Sequence, residues 1–407
     1  MWYGAAEQAV SSIANFVLVL WLANTLAPNQ FGEFGVAWSI VYLIESLCWS
    51  YLGEGVPPVA MRLPRGRWKS LRTGLVALSL MMCGGIAFLA IAGAAADILL
   101  SGGVAELVLA TGVACIGLRA QQTLRRVCYL DENRRLSLAS TLVATCVLFG
   151  SYAAVVSVGG EGSVAALLCW GGSMLAGSLV LLHIRRDFSA FSPVFLGWLS
   201  RRLGRAGAWL APSAIIYWIT NYSILPLSAA LAGLELSGAF RLIQALFAPL
   251  QQGTAVLISV ASPRVAREVV RKSRSAGREI LLRLTGGLAA LSMTYAAAML
   301  IAGPVLLPML FPAQADLISL LLLALFAATA VAEATRSGIS VVLVSVGLPS
   351  GILLSRVVGL VCFGGALVLA LASPSLATPI ALLSAALGGL LAAIYFSWRR
   401  LFRGEQS

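Results

Sequence analysis

Apolar stretches of about 20 residues recur along the whole chain, separated by short polar segments. A helix of about 20 residues is long enough to cross the hydrocarbon core of a membrane. The pattern therefore predicts about 12 transmembrane helices in an all-α integral membrane protein. The predicted spans are 5–27, 34–54, 73–95, 104–124, 138–157, 164–184, 207–230, 237–259, 284–308, 317–341, 352–371 and 379–398.

Composition agrees with the pattern. The chain has 407 residues, of which 59% are hydrophobic and 11% are charged, whereas soluble domains carry about 25% charged residues. No polar block along the sequence is large enough to fold as a separate water-soluble domain. These values exclude an ordinary soluble protein.

The net charge of +12 follows the predicted loops. Basic residues concentrate in loops on one side of the membrane, and the opposite loops near 28–33, 97–106, 158–163, 231–236, 310–317 and 372–379 contain no Lys or Arg. Under the positive-inside rule this places both termini in the cytoplasm. The charge is thus a topology signal that also favours anionic membrane lipids, and no nucleic-acid partner is expected. Twenty-four of the 28 Lys and Arg residues lie in five clusters at 62–72, 125–135, 185–205, 264–283 and 399–403.

Motifs for catalysis, metal binding or cofactor binding are not expected in this chain. The seven cysteines form no CxxC pair, and the single histidine, His183, abuts Arg185 and Arg186. No GxSxG elbow, phosphate-binding GK[ST] loop or HExxH sequence occurs. We therefore expect a protein that is not an enzyme and that carries no metal and no cofactor.

An internal repeat divides the chain into two similar halves. At an offset of 206 positions, Gly32 corresponds to Gly238, Phe34 to Phe240 and Pro57 to Pro263. Six predicted helices in each half give the two halves the same orientation in the membrane. We predict an N-terminal six-helix lobe, a cytoplasmic linker and a C-terminal six-helix lobe around a central cavity, which is typical of a transporter. The predicted ranges are 1–184, 185–205 and 206–407.

Polar residues inside the spans concentrate in the first, second, seventh and eighth helices. Polar side chains in membrane helices often bond only to a neighbouring helix or to their own backbone, and that interpretation stays open for most of them. A charge at mid-membrane costs about 2.5–3.5 kcal/mol, so Glu45 and Arg241 are harder to explain as packing residues. The candidate substrate-binding residues are Arg241, Gln244, Glu45, Asn15, Tyr217, Asn221 and Arg119.

Glu45 and Arg241 are not expected to neutralise each other. In the repeat register Arg241 lies at the level of Gly35, ten positions from Glu45, which is about 15 Å along a helix. We therefore expect each charge to face an aqueous cavity or a ligand. The planar guanidinium of Arg241 is suited to a phosphate, with Gln244 on the same helix face. Glu45 is a candidate carrier of a coupling proton.

The stretch "SSIANFVLVLWLANTLAPNQFGEFGVAWSIVYL" at 11–43 resembles the opening of bacterial polysaccharide-export (Wzx-type) flippases. That family shows a Leu-Ala…Leu-x-Pro-x-x-Phe/Tyr-Gly-x-Phe/Tyr turn, and Ala27 stands where the family usually has glycine. The segment 51–62 resembles the exit of the family's second helix, and the segment 240–267 resembles its eighth helix. The matching positions are Leu22, Ala23, Leu26, Pro28, Phe31, Gly32 and Phe34.

The resemblance implies a member of the multidrug/oligosaccharidyl-lipid/polysaccharide (MOP) exporter superfamily. It implies a flippase that moves undecaprenyl-diphosphate-linked oligosaccharide across the bacterial inner membrane by alternating access, with coupling to protons or sodium ions and with other polysaccharide-assembly proteins as partners. Relatives hold the diphosphate with cationic cavity residues, and only Arg241 matches that expectation. The alternative is an ion-coupled multidrug/cation antiporter of the same superfamily, served by Glu45, Tyr42 and Trp49. A polysaccharide polymerase or ligase ranks third, because the predicted outer loops are short.

Overall fold

The computed structural model describes the chain except for a few short segments. Its described residues form thirteen α-helices and two short 3₁₀ turns, Arg65–Arg67 and Ala315–Leu317, and they contain no β-strand. The segments outside the described residues are 1, 53–55, 57–58, 60–62, 131–132, 185–191, 272–273, 313, 346–348 and 403–407. In chain order the helices are α1 (Trp2–Thr25), α2 (Pro28–Leu52), α3 (Trp68–Leu99), α4 (Ala105–Leu130), α5 (Arg134–Ser157), α6 (Ser163–Ile184), α7 (Pro193–Asn221), α8 (Ile224–Ala232), α9 (Leu234–Arg271), α10 (Arg274–Leu310), α11 (Leu320–Ser345), α12 (Pro349–Ala370) and α13 (Pro374–Phe402).

Membrane-spanning helices account for most of this architecture. Among the described residues, ten helices are long and apolar enough to cross a membrane, and the bent pair α7–α8 raises the number to eleven. This confirms the predicted all-α membrane fold. The eighth predicted run, 237–259, lies inside α9, which is not among these ten.

The seventh predicted span, 207–230, is broken rather than continuous. Helix α7 ends at Asn221, α8 begins at Ile224, and the two are bent by 42°. Pro226 explains the break, because it has no N–H to donate to the carbonyl of Tyr222 and is tolerated in the first turn of a new helix. The backbone N–H of Leu225 donates to that carbonyl instead, over 3.3 Å.

The chain divides into two compact units, Met1–Trp218 (unit 1) and Ile219–Ser407 (unit 2). The division falls inside α7, 13 positions after the predicted start of the second lobe at 206. Residues 185–191 of the predicted linker lie outside the described residues, and the part from Pro193 to Arg205 belongs to α7. The predicted lobe boundaries therefore stay a prediction.

Unit 1 is built around α4, which packs against α2, α3 and α6. The contact between α4 and α6 depends on glycine, because a Cβ on Gly117 would lie 2.2 Å from the carbonyl oxygen of Gly171. Small residues allow membrane helices to approach this closely and to gain dispersion contacts. Two buried tryptophans, Trp38 and Trp170, pack beside them with ring centroids 4.2 Å apart.

Substituting alanine for Gly171 should destabilise the protein by about 1–3 kcal/mol, since the new methyl group would lie 2.7 Å from the Cα of Ala114 and the backbone of α4 would have to move. Gly172 is a matched control, because a Cβ there meets nothing within 4 Å. Thermal unfolding of the two purified variants in detergent measures the difference. Equal midpoints for Gly171→Ala and Gly172→Ala would contradict the close approach of α4 and α6.

Unit 2 has a similar plan around α11, which packs against α9, α10 and α13. Helices α12 and α13 form a long antiparallel pair, and α8 packs against α9. The pair approaches closely at Gly359, where a Cβ would lie 2.9 Å from the carbonyl oxygen of Ala385. In each unit a central helix is thus held by three neighbours, which gives a polar side chain on that helix a buried position.

Candidate functional site

The candidate residues are divided between the two units. In unit 1 the structure brings Glu45 of α2 and Arg119 of α4 together. Nη1 of Arg119 donates to both carboxylate oxygens of Glu45, at 3.1 and 3.3 Å. The side chain of Arg119 is 1% exposed and that of Glu45 is 13% exposed. The two charges therefore form a buried ion pair that joins two membrane helices.

A hydroxyl group binds the other two nitrogen atoms of the Arg119 guanidinium. Nε and Nη2 of Arg119 both donate to Oγ1 of Thr123, at 3.1 and 2.8 Å. The hydroxyl of Thr123 lies 2.9 Å from Oγ of Ser79 on α3 and 3.0 Å from the carbonyl oxygen of Arg119. The guanidinium thus has partners from α2 and α4, and the network reaches α3. We call these four residues, Glu45, Ser79, Arg119 and Thr123, the α2–α4 network.

Local sequence explains how the network forms. Thr123 follows Arg119 by four positions, so the two side chains lie on one face of α4. A charge inside a membrane costs roughly 2.5–3.5 kcal/mol by itself, and pairing with hydrogen bonds on every side offsets much of that cost. Sequence reasoning misses the pair because Glu45 and Arg119 are 74 positions apart. The hydroxyl of Thr123 one turn after Arg119 was the available signal.

A second buried acid, Glu7, ties α1 to its neighbours in unit 1. The side chain of Glu7 is fully buried and pairs with Nε of Arg125 on α4. The hydroxyls of Tyr129 on α4 and Ser137 on α5 donate to its two oxygens, at 2.6 and 2.8 Å. The structure thus buries Glu7 in a polar network, whereas the candidate Asn15 on α1 is half-buried.

In unit 2 the candidates cluster at the start of α9. Arg241 is 8% exposed, and Gln244 lies three residues further along the same face. Nε2 of Gln244 donates to the carbonyl oxygen of Asn221, over 3.3 Å, so α9 is bonded to the end of α7 beside the break. The side-chain amide of Asn221 donates to Oγ1 of Thr220, over 3.1 Å. Tyr217, one turn earlier on α7, belongs to unit 1 and is half-buried.

The structure therefore resolves the seven candidate residues into local groups. It joins Glu45 to Arg119, and it joins Gln244 to Asn221 through the backbone. Arg241 lies next to Gln244 on α9, while Asn15 and Tyr217 are placed on α1 and α7. A buried carboxylate paired with a guanidinium can exchange that partner for another cation or for a proton. A buried guanidinium with amide neighbours is suited to an oxygen-rich anion.

Comparison with known proteins adds the fold family. No family profile and no curated protein matches the sequence. Among solved structures, an inward-facing multidrug resistance MATE family transporter of the MOP superfamily is 15% identical, with a TM-score of 0.77 over 96% of this chain and 94% of that chain. The chain has a MATE-like fold.

Two further solved structures support the same fold. A MOP superfamily transporter from Pyrococcus furiosus, whose binding pocket is described as having reverse polarity, is 14% identical with a TM-score of 0.70 over 99% of this chain and 94% of that chain. A MATE transporter in complex with MaD3S is 16% identical with a TM-score of 0.66 over 98% and 94% of the two chains. All three solved structures thus share their fold with nearly the whole of this chain.

Proposed function

We propose that the chain is an ion-coupled exporter of organic cations that works by alternating access. The observation that carries this proposal is the MATE-like fold along nearly the whole chain, shared with a multidrug resistance transporter. Short outer loops and the polar residues of α1, α2, α7 and α9 are consistent with transport. Of the three functions considered from the sequence, the antiporter is the one that these relatives in fold favour.

Glu45 is the acid that an antiporter of this kind needs. An organic cation and a coupling ion compete for one carboxylate, so that binding of one releases the other. In the structure Arg119 supplies the counter-charge of Glu45. We propose that Glu45 leaves Arg119 when it takes up a proton, a sodium ion or the substrate. Arg119 then remains held by Thr123 and is ready to take the carboxylate back.

Export of an organic cation tests this proposal directly. Inside-out membrane vesicles that contain the protein should accumulate a fluorescent organic cation when a proton or sodium gradient is imposed. Vesicles that contain no transporter are the blank, and collapse of the gradient with an ionophore should abolish accumulation. If no gradient drives accumulation of any cation tested, the antiporter proposal fails.

The second candidate function is export of a lipid-linked oligosaccharide diphosphate. A specific pattern favours it, because three acids within the described helices, the buried Glu7 and the partly buried Glu45 and Glu333, each pair with an arginine. Arg241 is buried in α9 with an amide beside it, which suits phosphate oxygens. This function would place the protein in the bacterial inner membrane, with both termini in the cytoplasm and with polysaccharide-assembly proteins as partners.

Arg241→Ala tests the second candidate. In a strain that lacks its oligosaccharide flippase, wild-type protein should restore surface glycan and Arg241→Ala should restore almost none. Arg241→Lys should restore an intermediate amount, because lysine keeps the charge and loses the bidentate fork. Arg283→Ala is the matched control, since Arg283 is 80% exposed and pairs only with Glu279 at the helix surface. Complementation by Arg241→Ala at the wild-type level would exclude this role for Arg241.

A further inference from the structure

The α2–α4 network of unit 1 has a counterpart in unit 2. The segment "LVALSLMM" at 75–82 of α3 matches "LAALSMTY" at 288–295 of α10, which aligns Ser79 with Ser292. Both serines are buried, at 4% and 0% exposure. Each lies on the helix that precedes the central helix of its unit. The repeat therefore extends beyond the second and eighth helices.

The arginine of the network is repeated as well. Arg336 on α11 follows Arg119 on α4 by 217 positions. The pair Gly388–Gly389 on α13 follows Gly171–Gly172 on α6 by the same 217 positions, so two helix pairs share one register. Both arginines are buried on the central helix of their unit, at 1% and 6% exposure.

The two arginines also share one feature of their own helices. In the same register Thr123 corresponds to Ser340, so each arginine has a hydroxyl residue four positions later. The hydroxyl oxygen of Thr123 lies 3.0 Å from the carbonyl oxygen of Arg119, and that of Ser340 lies 3.0 Å from the carbonyl oxygen of Arg336. Sequence register and local geometry thus identify the same site twice.

The acid that pairs with the arginine differs between the two copies. In the register of the second and eighth helices, the counterpart of Glu45 is the neutral Gln251. Arg336 pairs instead with Glu333 on its own helix, over 2.5 Å. The unit 1 counterpart of Glu333 is Ile116. The same buried charge is therefore neutralised across two helices in unit 1 and within one helix in unit 2.

The helix that carries the acid decides whether the ion pair links two helices. A pair between residues three positions apart moves with its helix and exerts no force between helices. The pair between Glu45 and Arg119 instead holds α2 against α4 and is lost when Glu45 changes partner. The side chain of Arg336 is also closely packed, because its Nη1 lies 2.7 Å from the position that a Cβ on Gly389 would occupy.

We propose that Arg119 and Arg336 are one duplicated site, and that only the copy in unit 1 is a coupling switch between helices. The copy in unit 2 is a permanently neutralised arginine that keeps α11 in place. The coupling part of this inference rests on the proposed ion-coupled export. It assigns Ser79 and Thr123 as positioning residues for Arg119, and it limits coupling to one of the two units.

The inference is tested by moving the acidic residue of unit 1 from α2 to α4. The double variant Glu45→Gln/Ile116→Glu gives Arg119 an acid on its own helix, as Arg336 has in unit 2. Glu45→Gln alone should lower the thermal midpoint by several degrees and reduce ion-driven cation export at least about fivefold, the low end of usual coupling effects. The double variant should recover most of the thermal midpoint and none of the export.

Two control variants complete the series. Glu45→Gln/Ile116→Gln adds a neutral group of the same shape and should recover neither property. Glu333→Gln should lower the thermal midpoint but leave export per folded protein unchanged. Thermal unfolding is measured in detergent and export in proteoliposomes that contain equal amounts of folded protein.

Each outcome of the series decides a specific point. If Ile116→Glu restores export together with stability, Glu45 only neutralises Arg119 and the switch is wrong. If Ile116→Glu restores neither, the two arginine sites are not equivalent and the duplication is wrong. If Glu333→Gln abolishes export, unit 2 is also coupled. If wild-type protein exports no cation, the proposed function fails, and the thermal series still decides whether the site is duplicated.

Discussion

Replacing Arg119 with leucine should lower the free energy of unfolding by about 3–5 kcal/mol, the usual cost of removing one partner from a buried ion pair. The substitution leaves the carboxylate of Glu45 without its counter-charge and without two hydrogen bonds. It also removes both donors to Thr123. Chemical or thermal unfolding followed by loss of helical circular dichroism measures the effect.

The chain offers two comparisons for this prediction. Arg283→Leu removes a surface partner of Glu279, where both side chains are more than half exposed, and should change stability by less than about 1 kcal/mol. Adding Glu45→Gln to Arg119→Leu should recover part of the loss, because the uncompensated charge is removed as well. If Arg119→Leu costs no more than Arg283→Leu, the buried pair does not stabilise the protein.

Glu45→Gln should uncouple transport from the ion gradient. Glutamine keeps the shape of the side chain but neither takes up a proton nor binds a cation by charge. Accumulation of an organic cation against its own gradient should fall to the level of empty vesicles, because no ion then competes for the site. The test compares accumulation with and without an imposed proton or sodium gradient, at equal amounts of inserted protein.

Glu33→Gln is the control for this substitution, because it removes an acid from the same helix. Glu33 lies in the N-terminal part of α2 and accepts a hydrogen bond from Oγ of Ser163, over 2.7 Å. Its loss should leave gradient-driven accumulation unchanged. Full gradient-driven accumulation by Glu45→Gln would show that the α2–α4 network has only a structural role.

The membrane architecture could be predicted from the sequence because the bilayer restricts the choices. Every backbone polar group in hydrocarbon must be bonded within its own segment, so an apolar run of 20 residues forms a helix. The eighth run, 237–259, was recognised as part of a helix although Arg241 and its glutamines weaken the hydropathy of α9. The break after Asn221 was missed, although Pro226 was visible in the sequence.

The partners of the buried charged residues were predicted less completely than the membrane spans. The cost of a charge in the membrane singled out Glu45 and Arg241 without any structure. The partner of Glu45 was not predicted, because Arg119 lies outside the repeat register of the second and eighth helices. The enclosure of Glu7 by Arg125, Tyr129 and Ser137 within unit 1 was not predicted either.

The sequence by itself determined which segments cross the membrane and which charges are too costly to be accidental. These properties depend on local composition, since each helix satisfies its own backbone hydrogen bonds. Only the tertiary structure decided that Glu45 meets Arg119. Pairing between helices depends on which faces meet, and in unit 1 that is set by close approaches such as Gly117 on Gly171. Residues 54 positions apart specify that contact jointly, so no local pattern in the chain reveals it.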